Sequence, residues 1–142
     1  MTDRRRLASN GRVAAEDLRG VVQADRFLTG EPRMVCASVT TLFAAPGQRR
    51  DRQLTRGALI TVYEDRDGWS FLRAADDGYV GYVATVDLAA PLQPTHRVST
   101  RATHAYTEAS IKSPDLAWLP MGARLFASGA DADADFARLT LP

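Results

Sequence analysis

The sequence predicts an all-β protein: two small antiparallel barrels in tandem, the second incomplete, after a mostly irregular N-terminal arm. Runs rich in β-branched and aromatic residues lie at residues 57–63, 69–71 and 79–83. The steps Asp67-Gly68 and Asp77-Gly78 separate these runs, and an Asp-Gly step supplies the positive φ that tight hairpin turns require. Because the connections are too short for crossover helices, we expect the three strands to form an antiparallel meander.

We assign residues 1–33 to the N-terminal arm. Asn10 is placed to cap a short helix over residues 13–19, which Gly20 would end. The three arginines at residues 4–6 are interpreted as a solvated terminal charge run, with phosphate contact as the less favoured alternative.

Two globular units are expected after the arm. The first, residues 34–91, begins with a strand over residues 34–39, continues through the meander and closes with a single 3₁₀ turn at residues 85–88. A short linker follows, and the second unit takes residues 95–142. The linker is too short to let the two units move independently over large distances.

An internal repeat supports the two-unit division. Residues 119–127 match residues 54–62, at an offset of 65 found by subtracting 54 from 119. At this offset Phe136 falls on Phe71, and Pro142 falls on Asp77, so the second unit has no counterpart to the last strand of the meander. We therefore expect a second barrel with an open edge, which favours self-association, and a chain that is a fragment of a longer protein.

Composition excludes several classes of function. Of the 142 residues, 45% are hydrophobic and 25% are charged, which is typical of a globular protein. The net charge of +1 provides no general attraction for nucleic acid. The sequence contains no run of about 20 apolar residues, so it predicts no membrane span. The first residues lack the apolar stretch of an ordinary secretory signal, so the location stays open between the cytoplasm, as written, and the cell envelope if the chain is exported.

Four segments carry a family resemblance. They are residues 39–46, Leu54-Thr55-Arg56-Gly57, Asp67-Gly68-Trp69 and Asp77-Gly78-Tyr79-Val80-Gly81-Tyr82-Val83. These segments resemble the bacterial SH3 domains (SH3b) that precede the catalytic domain of NlpC-type cell-wall cysteine peptidases. The resemblance covers residues 34–88 well and residues 95–142 in part.

The resemblance implies two SH3-like barrels in a non-catalytic module that targets a parent enzyme to peptidoglycan and shapes its substrate site. The parent would be a hydrolase that cleaves γ-D-glutamyl bonds to a diamino acid. Its implied partners are a peptidoglycan peptide and a C-terminal peptidase domain. The alternative is a stand-alone adaptor whose barrels bind a peptide or a partner protein.

The catalytic motif of that family is absent from the sequence. The family's nucleophile is a cysteine in an Asp-Cys-Ser-Gly context, whereas the single Cys36 lies in Met34-Val35-Cys36-Ala37-Ser38. Both histidines, His96 and His104, belong to the second unit and have no cysteine or carboxylate at ligand spacing. We therefore expect no catalytic residue, no metal site and no cofactor, and we interpret Cys36 as a buried or half-buried thiol.

The stretch 131–135 has the alternating carboxylates that open an EF-hand loop. Phe136 stands where the loop requires glycine, and Pro142 stands where it requires a bidentate glutamate. We interpret this stretch as a solvated acidic turn.

Three aromatic residues are candidates for ligand binding: Trp69, Tyr79 and Tyr82. Trp and Tyr offer a large rigid contact area with a polar tip. Tyr79 and Tyr82 are three positions apart, so a strand places them on opposite faces of the sheet. For Trp69 the favoured expectation is packing across the meander in the core, with ligand contact as the alternative.

Overall fold

The computed structural model describes residues 2–128 and 136–142. Over these residues the chain forms short β-strands and single 3₁₀ turns, which confirms the predicted all-β class. The 3₁₀ turns are Arg4–Arg6, Glu16–Leu18 and Thr85–Asp87, the last as predicted. No helix in this part of the chain is long and apolar enough to cross a membrane.

The N-terminal arm holds two short parallel strands, β1 (Val13–Ala15) and β2 (Arg26–Leu28). The predicted helix over residues 13–19 is wrong. The Asn10 side chain accepts hydrogen bonds from the backbone N–H of Arg12 and of Val13, but extended backbone follows. All three residues of β1 are buried against the first barrel, and this tertiary packing outweighs a weak local helix propensity.

The first unit is one seven-stranded antiparallel sheet with the order β5-β4-β8-β7-β6-β3-β9. Its strands are β3 (Glu31–Val35), β4 (Val39–Phe43), β5 (Arg50–Thr55), β6 (Leu59–Arg66), β7 (Trp69–Ala74), β8 (Val80–Ala84) and β9 (Leu88–Ala89). The predicted meander is confirmed as β6, β7 and β8. Asp67 and Gly68 both have positive φ, at 52° and 80°, as the two central residues of a tight hairpin turn require.

The single strand predicted over residues 34–39 is wrong. Strand β3 ends at Val35, residues 36–38 bend, and β4 begins at Val39. The bend is needed because β3 pairs with β6 and β9, whereas β4 pairs with β5 and β8. Cys36 lies in this bend and not in a strand.

The sheet of the first unit is covered on both faces. One cluster of buried residues draws on β3 to β8, which shows that the sheet curls around it, and this inner cluster comprises Val35, Leu42, Leu54, Ile60, Val62, Leu72, Ala74 and Val83. On the outer face, Tyr63, Phe71 and Val80 pack against arm residues Ala8, Val13 and Ala15. The arm is therefore part of the folded first unit.

The second unit repeats the first in abbreviated form. Its strands are β10 (His96–Arg97), β11 (Ala102–Tyr106), β12 (Asp115–Pro120), β13 (Arg124–Ala127) and β14 (Leu139–Thr140). Hairpin β11–β12 corresponds to β4–β5, and both carry a register shift at the same place, between Leu42 and Phe43 and between Ala105 and Tyr106. The equivalent backbone hydrogen bonds also recur, for example Val35 N–H to Ala58 O and Val98 N–H to Ala123 O. These shared features support the predicted internal duplication.

The constant offset of 65 is correct for only part of the repeat. Strand β4 maps onto β11 at an offset of 63, from 39 to 102, whereas β5 maps onto β12 at 65, from 50 to 115. The difference is a hairpin loop longer by two residues in the second unit.

The later part of the repeat is offset further. Leu139 pairs with Ala127 as Leu72 pairs with Val62, which makes Leu139, and not a residue at offset 65, the counterpart of Leu72. The predicted equivalence of Phe136 with Phe71 is therefore wrong. The acidic stretch 131–135 lies outside the described residues.

Arg124 joins the two units. Its backbone N–H donates to the carbonyl of Arg56 at 2.8 Å, and its guanidinium donates to both carboxylate oxygens of Asp76 at 2.7 and 2.8 Å. Gly57 lies directly against it: a Cβ on Gly57 would stand 2.5 Å from the Arg124 Cβ and 2.6 Å from the Arg124 carbonyl oxygen. The close approach of the units at this point therefore requires a glycine.

Gly57→Ala is expected to destabilise the chain more than Gly122→Ala, its counterpart in the second unit. Both glycines have positive φ, which costs alanine about 1–2 kcal/mol. Only at position 57 does the added methyl meet backbone, and such overpacking costs about 1–3 kcal/mol more. Urea denaturation of both variants measures the difference. Equal losses would show that the units do not pack together at Arg124.

Candidate functional site

Aromatic side chains form a row on the outer face of the first sheet. Phe43 and Trp69 meet edge to face with ring centroids 5.5 Å apart, Phe71 and Tyr82 lie 5.1 Å apart, and Tyr63 and Phe71 lie 6.3 Å apart. Strand register explains the row, because Phe43 and Phe71 each stand opposite Tyr82, and Trp69 is two positions from Phe71 on β7. We call these five residues the aromatic row.

The arm covers one end of the aromatic row and leaves the other end partly open. Tyr63 and Phe71 are buried beneath Ala8, Val13 and Ala15. Trp69 and Phe43 remain half-buried at the far end, where the β6–β7 turn and the loop at residues 44–49 meet. A Cβ on Gly47 of that loop would lie 3.9 Å from the Trp69 ring. The open end therefore presents a preformed aromatic pair.

Trp69 does not belong to the barrel core, so the favoured expectation for it is wrong. Its neighbour Ser70 points inward instead: Ser70 is fully buried, and its hydroxyl lies 2.8 Å from the Thr85 hydroxyl. The strand period of two then directs Trp69 outward. The directly opposite residue on β6 is Arg66, and the residue opposite Phe43 on β5 is Arg50, both exposed. The aromatic pair is thus flanked by two cationic side chains.

Tyr82 helps to hold the arm in place. Its hydroxyl accepts a hydrogen bond from the Asn10 side-chain amide at 3.2 Å, and the same amide donates to Glu64 at 3.0 Å. Arg12 also donates to both Glu64 carboxylate oxygens, at 3.0 and 2.8 Å. Hydrogen bonding from Arg12 lowers the pKa of Glu64, so the carboxylate stays ionised and anchors the arm near neutral pH.

Tyr79 lies at the other end of β8 and on the opposite face. It packs against the inner cluster, as the spacing from Tyr82 predicts. The guanidinium groups of Arg5, Arg6 and Arg52 stand 5.7, 5.2 and 5.2 Å from its ring centroid. Arg6 also donates to the Asp77 carbonyl at 2.7 Å, so the arginines of the arm dock on the first unit and are not a free charge run.

The structure therefore does not gather the three candidate residues into one site. Trp69 stands opposite Ala84 at one end of the β7–β8 pair, whereas Tyr79 precedes Val80 at the other end. Phe43 is the residue that the sequence analysis missed. Strand alternation in the sequence predicts that Trp69 and Phe71 share a face of the sheet. Only the pairing of β4 with β8 shows that Phe43 lies on the same face.

Cys36 and the histidines lie apart from one another. The Cys36 thiol is half-buried and stands 3.8 Å from the Val86 carbonyl oxygen, while His96 and His104 lie on β10 and β11. Burial lowers the pKa of Arg56, whose Nε and Nη1 have no hydrogen-bond partner among the described residues. In that part of the chain, no group of three or more His, Cys, Asp or Glu side chains could hold a metal ion.

Residues 42–88 match the family model described as the bacterial dipeptidyl-peptidase SH3 domain. These residues of the first unit are therefore similar to a bacterial SH3 domain. The match runs from within β4 to the start of β9, and it includes Trp69, Tyr79 and Tyr82. A search of curated proteins finds no match to the chain. SH3 domains of this kind are non-catalytic binding modules.

Proposed function

We propose that this chain is the targeting and substrate-shaping module of a bacterial cell-wall peptidase of the NlpC type, and that its SH3 domain binds a peptidoglycan peptide. The observation that carries the proposal is the half-exposed Trp69–Phe43 pair within a domain whose family is described by a dipeptidyl-peptidase. The resemblance of the four sequence segments to NlpC-associated SH3b domains supports the same assignment.

The chemistry of the open end suits such a peptide. An edge-to-face aromatic pair supplies rigid apolar area at low entropic cost. Arg50 and Arg66, the cross-strand neighbours of that pair, supply guanidinium groups that bind carboxylates in a fixed geometry. A γ-linked D-glutamyl peptide carries a free α-carboxylate on its D-glutamyl residue. The proposed contact surface is therefore Trp69, Phe43, Arg50 and Arg66, with Tyr79 and Tyr82 serving the fold.

Trp69→Ala is expected to weaken binding of L-Ala-γ-D-Glu-diaminopimelate at least about tenfold, since truncation of a central aromatic contact commonly costs more than about 1.4 kcal/mol. Isothermal titration calorimetry of the whole chain measures the affinity. Because Trp69 is only half-buried, we expect its stability loss to stay below the roughly 3–5 kcal/mol of a buried tryptophan.

Trp118→Ala is the matched control, because Trp118 is 46% exposed on β12 of the second unit. It should leave the affinity for the peptide unchanged. An affinity that Trp69→Ala leaves intact, or that both substitutions lower equally, would contradict the proposed site.

Apolar surface on the second unit supports a C-terminal peptidase domain as the further partner. Leu116, Trp118 and Met121 are 61%, 46% and 57% exposed. Exposed large apolar residues that cluster on one unit are typical of a surface that another protein covers. The same surface would serve a stand-alone adaptor, and peptide binding at Trp69 separates the two assignments.

A further inference from the structure

Among the residues of the second unit that the structure describes, no strand takes the place of β8. In the first unit, β8 lies between β7 and β4 and pairs with both, which closes the sheet. The counterparts of β7 and β4 are β14 and β11. Over residues 2–128 and 136–142, β14 pairs only with β13, and β11 pairs only with β12. Both therefore turn an unpaired edge toward the missing position.

A large groove with a mixed polar and apolar lining lies at that position. Its volume is about 1430 Å³, and its lining includes Ala105, Leu119, Leu125, Leu139 and Leu141. Ala105 and Leu119 belong to the buried cluster of the second unit, against which the three other leucines pack. Their counterparts Leu42, Leu54, Ile60 and Leu72 enclose Val83 of β8 in the first unit. The groove therefore exposes the surface that a β8-like strand covers in the first unit.

The first unit also shows which residues such a strand needs. Val83 supplies the apolar side chain that enters the cluster. Gly81 passes so close to β4 that a Cβ would stand 2.5 Å from the Phe43 carbonyl oxygen. The counterpart of Phe43 is Tyr106, at the same register shift of β11. An occupant of the groove therefore needs an aromatic residue opposite Tyr106, a glycine directly before it beside the Tyr106 carbonyl, and an apolar residue directly after it.

We propose that the groove between β11 and β14 binds an extended strand of a separate partner polypeptide, with the valine–glycine–aromatic–valine pattern of β8. The strand pairs with both free edges and completes the second barrel. This docking surface lies on the second unit and is independent of what the SH3 domain binds.

Size and pairing favour a strand over other occupants. Pockets for small molecules hold about 300–1,000 Å³, less than this groove. In a second copy of the chain, the strand with the required pattern, Val80–Ala84, is already paired on both sides. The edge strand β5 of a second copy begins Arg50-Asp51-Arg52, and charged edges of this kind oppose pairing. A strand of a partner polypeptide can have the required pattern, unpaired backbone groups on both sides and an edge without charged residues.

The test uses the whole chain and a fluorescent synthetic peptide with the sequence of residues 76–86. We expect saturable binding by fluorescence anisotropy, together with slower amide hydrogen exchange in β11 and β14. A peptide carrying Gly81→Val should bind at least about tenfold more weakly, because its side chain would meet the Tyr106 carbonyl.

Two protein variants locate the binding. Leu141→Glu places a charge in the groove and should weaken peptide binding at least about tenfold. Val86→Glu, at an 84% exposed position of the first unit outside the groove lining, should not change it. Equal binding of the two peptides, or protection confined to the first unit, would overturn the proposal. So would sedimentation of the unmodified chain as a dimer that Leu141→Glu dissociates, because a second copy would then fill the groove.

Discussion

Replacing Gly81 with alanine is expected to lower the free energy of unfolding of the first unit by about 3 kcal/mol or more, the upper end for overpacking. The new Cβ would stand 2.5 Å from the Phe43 carbonyl oxygen and 3.0 Å from the Leu42 Cγ. Backbone cannot yield as a flexible side chain can, so β4 and β8 must separate where they close the sheet. Chemical denaturation followed by circular dichroism measures the loss.

Gly68→Ala is the control for the Gly81 prediction. Gly68 has φ of 80° in the β6–β7 turn, but a Cβ there would meet nothing within 4 Å. Its cost should be only the roughly 1–2 kcal/mol of a left-handed alanine. A Gly81→Ala variant as stable as Gly68→Ala would show that β4 and β8 approach less closely than described here.

Deleting residues 2–15 is expected to cost about 3–6 kcal/mol of stability. The deletion removes Ala8, Val13 and Ala15 from the outer face and exposes Tyr63 and Phe71, each worth about 1.5–3 kcal/mol when buried. It also leaves Glu64 without Arg12 and Asn10. Denaturant unfolding measures the loss, and binding of an apolar dye should report the newly exposed aromatic row.

A shorter deletion of residues 2–7 separates packing from charge. It removes the arginines that dock around Tyr79 but keeps the buried residues from Ala8 onward. It also leaves the Asp51 carboxylate, whose side chain is 2% exposed, without its partner Arg4. Because an unpaired buried polar group costs about 1–3 kcal/mol, this variant should lose some stability, but less than the longer deletion, which also removes the buried apolar residues. If both deletions cost the same small amount, the arm is not part of the folded domain.

The arm also bears on the proposed binding function. It covers Tyr63 and Phe71 and leaves Trp69 and Phe43 open, so it sets how far along the aromatic row a ligand can reach. The arm is held by Glu64, which accepts hydrogen bonds from both Asn10 and Arg12. Arm residues, which lie outside the family match at residues 42–88, therefore limit the extent of the proposed site within that match.

Local patterns were enough to predict the three strands of the meander, β6, β7 and β8, and they indicated a repeat. The Asp67-Gly68 turn and the alternation along β7 and β8 depend on backbone geometry over a few residues, so they can be predicted from the local sequence. The repeat could be detected in the sequence because turn glycines and apolar positions recur at similar spacing. The offset between the two units is not constant, because the β11–β12 loop is two residues longer than the β4–β5 loop and the core does not constrain loop length.

Tertiary structure alone decided where the arm lies, which way Trp69 points and how the two units meet. The arm has no strong local pattern, and its conformation follows from contacts such as Asn10 with Glu64, 54 positions away. Trp69 faces outward because Ser70 is satisfied inside the barrel, and Gly57 is constrained because Arg124 packs on it. Each of these three features depends on contacts between residues that are far apart in the sequence. Such contacts form only when the whole sheet has folded.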